Sequence, residues 1–120
     1  MKSDLKFFKK SDCLPVDKFF HNVLYDKDFG YYNSKLPIGI KGDFITSPKI
    51  STLFSEMIAI WMIATWESFG KPKNLNIVEL GPGDGSLTNI LLKVFVRFED
   101  FNKATNIYLF ETSNFLKKLQ

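Results

Sequence analysis

The residues of this chain with types and spacing fit for chemistry are two carboxylates and three glycines. Glu79 stands near the end of the short run Ile77-Val78-Glu79-Leu80, and Gly81, Gly83 and Gly85 follow at alternate positions with Pro82 and Asp84 between them. An apolar run of that kind reads as a parallel strand covered on both faces. Glycine tolerates positive φ and lets backbone come close to another group, so the alternating glycines mark a sharp bend at a binding surface. Beyond the bend, Leu87, Ile90, Leu91, Val94 and Phe95 fall on one stripe of a helix. Strand, glycine bend and helix start form the opening of a βαβ nucleotide-binding unit, with the N–H groups of the helix aimed at the ligand. Glu111 ends a second run, Ile107-Tyr108-Leu109-Phe110, where such a unit needs a carboxylate to accept hydrogen bonds from ribose hydroxyls.

Several ligand classes are excluded by what the bend lacks. A phosphate-cradling loop requires Gly-Lys-Ser/Thr, and no lysine lies between Lys73 and Lys93. The dinucleotide fingerprint G-x-G-x-x-G requires glycine where Ser86 stands. Lone His21 on a short helix reads as a solvated side chain, and Cys13 has no paired histidine or second cysteine to activate it. Nothing groups histidine, cysteine and acids at metal-ligand spacing. A nicotinamide-dependent oxidoreductase shares the βαβ opening and is the alternative enzyme class; a non-catalytic remnant or split-gene piece is the alternative of another kind.

Pro15 suits the first turn of a helix, and Val16, Phe19, Phe20, Val23 and Leu24 continue it as an apolar stripe ending near Tyr25-Asp26. Residues 1–13 are polar and read as lightly packed. Between Asp28 and Pro48, glycine and proline recur too often for a long element, yet Tyr31, Tyr32, Ile38, Phe44 and Ile45 are costly to leave in water. A lid or pocket wall and a plain structural connector both fit such a loop. Ser47-Pro48 is a cap and first-turn pair for a helix that runs to about Gly70. That helix carries Phe54, Met57, Ile58, Trp61, Met62 and Trp66, apolar nearly all round, and so is expected to pack across the sheet or against another subunit. The two tryptophans read as core filling. Arg97 to Thr105 reads as a charged loop, and Thr112 or Ser113 caps a last helix through Lys118.

Composition confines the class. With 45% hydrophobic residues the chain is globular, and a net charge of +3 from scattered lysines gives no basic face for nucleic acid. A single cysteine rules out an internal disulfide framework. The start has neither a secretory core nor a transit-peptide composition, and the apolar run Met57 to Trp66 is too short to span a bilayer. These features fit a soluble intracellular chain. A full doubly wound α/β sheet needs roughly 170 residues or more, so 120 residues are expected to hold only its beginning, cut off. The expected architecture is α/β: residues 1–73 as an N-terminal helical and loop extension with a substrate-side loop, then residues 74–120 as the first β-α-β of an incomplete Rossmann-like domain.

Three stretches, Gly30-Tyr31-Tyr32, Pro37-Ile38-Gly39-x-x-Gly42-Asp43-Phe44-Ile45-Thr46-Ser47-Pro48-x-Ile50-Ser51 and Val78-Glu79-Leu80-Gly81-Pro82-Gly83-Asp84-Gly85-Ser86-Leu87, resemble the MidA family of class I methyltransferases of bacteria and mitochondria. That family includes the complex I assembly factor that methylates an arginine of a core subunit. The resemblance runs from about Val16 to Gln120. It implies a Rossmann-like fold, S-adenosyl-L-methionine as cofactor and protein arginine as acceptor, a complex I core subunit among the candidates. Glu79, Gly81, Pro82, Gly83, Asp84, Gly85 and Glu111 are then the cofactor-binding set: the glycine backbone for the methionine and ribose, Glu79 for the ammonium or, through water, for neighbouring atoms, Asp84 for the cofactor or as a helix cap. Gly42, Asp43, Phe44, Thr46 and Ser47 border the active site as the substrate-side loop. The catalytic residues are expected beyond this sequence. The implied location is the bacterial cytoplasm or, alternatively, the mitochondrial matrix, with a second copy or a complementing C-terminal fragment as partner and no metal, nucleic acid or membrane span. Ser55 replaces the family's usual glycine and Lys49 its usual glutamate; both lie outside the glycine loop, so cofactor binding is expected to be indifferent to them.

Overall fold

The computed structural model describes residues 13–34 and 43–120. In chain order it comprises α1 (Val16–Tyr25), α2 (Tyr31–Ser34), α3 (Ser47–Ile50), α4 (Thr52–Ser68), β1 (Leu75–Leu80), α5 (Ser86–Phe95), α6 (Glu99–Ala104), β2 (Thr105–Phe110) and α7 (Asn114–Lys117). β1 and β2 pair in parallel with Ile77 opposite Ile107 and Leu80 opposite Phe110. The crossover between them is α5 and α6, as a βαβ unit requires. The expected α/β class and the two strands are therefore present. Gly42 and the Pro37-Ile38-Gly39 stretch lie outside the described residues, as do residues 1–12.

One hydrophobic core holds the unit together. Ala59, Ile63 and Trp66 of α4 meet Leu91 and Phe95 of α5 and Phe101 and Ala104 of α6, with Leu75, Ile77 and Ile107 of the strands packed against them. The Phe101 ring stands edge-on to Trp66 at 5.3 Å and to Phe95 at 4.8 Å between centroids, the geometry that aromatic quadrupoles favour. Trp66 also satisfies its indole N–H, which donates to the Pro72 carbonyl at 2.9 Å. Trp66 thus fills the core as expected, whereas Trp61 is exposed.

Four local expectations need correction. First, the helix expected to begin at Ser47 is two helices. Ser51 is extended (φ −152°, ψ 131°), and its hydroxyl accepts from the Leu53 N–H at 3.2 Å, so this serine caps α4 instead of continuing α3. Second, the stretch from Arg97 to Thr105 contains a helix. Glu99 and Asp100 sit in its first turn and Lys103 in its last, which suits the helix dipole, and Lys103 pairs with Glu99 at 2.5 Å. Phe101 and Ala104, three positions apart, anchor that helix in the core. Third, among the described residues the strands are covered on one face: Leu75, Ile77 and Glu79 are half-buried while Asn76, Val78 and Leu80 are exposed. Fourth, α4 buries only Ser55, Ala59, Ile63 and Trp66, leaving Leu53, Met57 and Trp61 exposed. α1 forms where its spacing predicts, but it buries no residue.

Ser55 is fully buried, and its hydroxyl is the one buried side-chain polar atom without a hydrogen-bond partner among the described residues. Leaving a hydroxyl unpaired in the interior costs about 1–3 kcal/mol. Ser55→Ala removes that group with no loss of apolar contact, and it should raise the urea midpoint, stabilising the chain by about 1 kcal/mol. Ser55→Gly should not gain the same, because glycine inside a helix costs about 1 kcal/mol relative to alanine.

Candidate functional site

The site is assembled where β1 leaves the sheet. The Gly81 N–H donates to the Phe110 carbonyl at 2.9 Å, extending the parallel ladder one step past Leu80. From there the backbone turns through left-handed conformations at Gly81 (φ 66°), Gly83 (φ 60°) and Gly85 (φ 77°), a path closed to ordinary L residues without strain. The Gly85 N–H donates to the Pro82 carbonyl at 2.9 Å, and Gly85 is the residue that opens α5. The bend predicted from the glycine spacing is thus a strand-to-helix turn.

Asp84 is fixed from two directions. Its Oδ1 accepts from the Ser86 N–H at 3.2 Å and from the Ser86 hydroxyl at 2.6 Å, a local turn just ahead of α5. The N-cap position itself is Gly85, with no side-chain cap, so the helix-cap role expected of Asp84 is not what the fold uses. Its Oδ2 lies 2.5 Å from the Lys49 ammonium. Burial alone would raise the Asp84 pKa, but the Lys49 hydrogen bond, the two Ser86 donors and the Lys49 charge together hold it below the ordinary aspartate value. Lys49, which lies outside the glycine loop in sequence, therefore reaches it in the fold. Sequence distance hid this contact, since α3 and the loop come together only in the fold.

Glu79 points the half-buried face of β1 towards the bend, where its Oε2 accepts from the buried Thr88 hydroxyl of α5. Glu111, immediately after β2, accepts from the Gly83 N–H through Oε2 at 3.2 Å and from the Ser113 N–H through Oε1 at 2.8 Å. Both acids thus attach to the same loop region, Glu79 through α5 and Glu111 directly. An ionised carboxylate has about four acceptor positions, so each keeps capacity for a ligand donor. Ser113 continues the connection: its hydroxyl donates to the Tyr32 carbonyl at 2.7 Å and accepts from the Leu116 N–H at 3.2 Å. The Gln120 amide donates to the Gly83 carbonyl at 2.8 Å. Ser113 is the cap that the sequence offered for the last helix, whereas Thr88 and Gln120 carry no spacing signal that would mark them in the sequence.

A cavity of about 280 Å³ lies against the loop, walled by Glu79, Gly81, Gly83 and Asp84 on one side and by Thr46 and Ser47 on the other. Thr46 and Ser47 of the expected substrate-side loop therefore join the glycine bend. Asp43 and Phe44 do not wall that cavity: the Tyr31 hydroxyl donates to Asp43 at 2.5 Å, and Phe44 is exposed with its ring 6.1 Å from that of Tyr31. The Asp43 carboxylate, by hydrogen bond and by charge, pushes the Tyr31 phenol up to about 12. His21 is exposed beside Tyr25, and Cys13 is exposed and free.

The donor set suits a small polar molecule with a cationic amine. A Cβ built on Gly81 would meet nothing within 4 Å, so the bend leaves open space where a ligand can approach backbone. The cavity is slightly smaller than the ~300 Å³ at which small-molecule sites begin, and Glu79 and Asp84 are the carboxylates in its wall. Among the described residues, no group of histidine, cysteine and acids could hold a metal ion. No helix among them is long and apolar enough to cross a membrane.

Residues 57–120 match the family model described as S-adenosyl-L-methionine-dependent methyltransferase. The chain is 40% identical over 114 residues to the mitochondrial protein arginine methyltransferase NDUFAF7 of Xenopus tropicalis, an alignment covering 93% of this chain and 26% of that protein. It is 39% identical over 114 residues to the human protein of the same name, with the same coverage of 93% and 26%. The mitochondrial homolog of Drosophila melanogaster is 39% identical over 107 residues, covering 89% of this chain and 24% of its own length. The chain thus spans about a quarter of the curated relatives it matches.

Proposed function

Because this chain belongs to the S-adenosyl-L-methionine-dependent methyltransferase family, we propose that its glycine bend is the cofactor-binding part of a protein arginine methyltransferase serving respiratory complex I assembly. The relatives named above support arginine as the acceptor and the mitochondrion as the location, since both words stand in their names. The observation that carries the cofactor reading is the shared cavity: a strand-end carboxylate, two left-handed glycines and the Thr46-Ser47 turn face one space.

When bound, the cofactor supplies an electrophilic methyl on a sulfonium. Glu79 neutralises the ammonium of its amino-acid end, oriented for this by the Thr88 hydroxyl. The backbone from Gly81 to Gly85 would take the methionine and ribose, with open space for it at Gly81, where a side chain would intrude. Glu111, which accepts from the Gly83 N–H and so ties the end of β2 to the bend, would hold the ribose hydroxyls with its remaining acceptor positions. Asp84 ties the bend to the first residue of α5 through the N–H and hydroxyl of Ser86. Thr46 and Ser47, the part of the substrate-side loop that walls the cavity, would exclude water from the methyl. Positioning and dehydration are the main requirements of an in-line methyl transfer.

Calorimetric titration of S-adenosylhomocysteine into the chain tests this. Saturable heat with S-adenosylhomocysteine and none with NAD is the expected result. Heat with NAD alone would replace the reading with a nicotinamide-dependent one. Glu111→Gln keeps the side chain's shape but loses the charge behind two hydrogen bonds, and it should weaken S-adenosylhomocysteine about tenfold.

A further inference from the structure

We propose that Lys49 is a positioning residue of this pocket, its ion pair with Asp84 holding the Thr46-Ser47-Pro48 wall in place across from the glycine bend; the proposal rests on the cofactor reading above. α3 is only four residues long, too short to persist by its own hydrogen bonds. The extended residue Ser51 separates it from α4, so the long helix does not continue into it. The residues of the wall therefore need a tertiary anchor, and Lys49, on the same turn, provides one.

The geometry of Asp84 makes the anchor directional. Oδ1 is held by the N–H and the hydroxyl of Ser86 at the start of α5, which leaves Oδ2 aimed at Lys49 at 2.5 Å. The side chains of Lys49 and Asp84 are only 25% and 20% exposed. A pair so far withdrawn from water is screened less than the exposed pairs Lys71–Glu67 and Lys103–Glu99 elsewhere on the chain. Asp84 and Ser47 wall the same cavity, so the ion pair joins its two sides. Loss of the Lys49 charge would release one side and leave the Asp84 carboxylate partly buried without its counter-ion.

The test compares the chain with Lys49→Met and Lys49→Arg, substitutions outside the core. Hydrogen exchange in the absence of ligand reads the amides of Lys49, Ile50 and Ser51, which donate to Thr46 and Ser47 carbonyls at 2.9, 3.2 and 3.1 Å. Calorimetry with S-adenosylhomocysteine reads the pocket. K49M should exchange faster at those three amides and bind about tenfold more weakly, while K49R, which keeps a charged donor, should retain both properties. Exchange or affinity in K49M equal to that of the unsubstituted chain overturns the proposal. If the unsubstituted chain binds no S-adenosylhomocysteine, the cofactor reading fails and takes the pocket role with it; the exchange comparison still decides whether the ion pair anchors the turn.

Discussion

Gly81→Val should abolish S-adenosylhomocysteine binding at any concentration that saturates the unsubstituted chain, a loss of about a hundredfold or more. Two effects combine. Gly81 sits at φ 66°, where an L residue costs about 1–2 kcal/mol and a β-branched one is a genuine outlier. The new side chain also enters space that is open around Gly81, beside the cavity it helps to wall. At 1.4 kcal/mol per factor of ten, strain that reshapes the bend and occupation of the ligand's space together exceed two decades. Gly81→Ala carries a smaller version of the same load and should bind detectably. Melting followed by circular dichroism separates the two contributions: the fold should lose about 1–2 kcal/mol, while binding loses more. Binding by G81V within threefold of the unsubstituted chain would show that this backbone is not the contact surface.

Phe101→Ala has the largest expected effect on stability, about 3–5 kcal/mol. The ring is 1% exposed and is the member of the core that touches both Trp66 of α4 and Phe95 of α5. Truncation removes the transfer energy of the phenyl group, leaves a cavity and deletes two edge-to-face contacts. A single domain has about 5–15 kcal/mol in total, and this one leaves one sheet face and much of α4 exposed. F101A should therefore lose most of its cooperative urea transition, with tryptophan fluorescence shifting to that of a solvated indole as Trp66 is released. A transition displaced by less than about 1 kcal/mol would mean that α6 is not anchored through this ring.

Phe101 also marks the limit of what a linear reading gives. Charge density from Arg97 to Thr105 reads as a loop, yet the acids fall in the first turn and the lysine in the last, and Phe101 with Ala104 supplies an inward side. The same sequence is loop-like by composition and helical by arrangement. Ser51 misleads in the opposite direction. An apolar spacing that runs on past Pro48 suggests one helix, but a serine hydroxyl that can cap the next turn divides it. The alternation of burial along β1 is a further case: Val78 and Leu80 are apolar and exposed, and only the packing of the helices on one face decides that.

What the sequence determined by itself is the strand, the bend and the helix that follows. Those depend on local requirements: apolar residues to cover a strand, glycine wherever φ is positive, and an apolar stripe at helical spacing. Gly81, Gly83 and Gly85 allow the left-handed backbone that the bend uses. Only the tertiary structure decided which distant groups meet at that bend. Lys49 reaches Asp84 across the cavity, Thr88 answers Glu79, and Glu111 takes the Gly83 N–H because parallel pairing of β1 with β2 brings the two strand ends to the same level. The reason is physical: backbone conformation is set by each residue and its neighbours, whereas an ion pair or a side-chain hydrogen bond is set by where packing brings remote segments together.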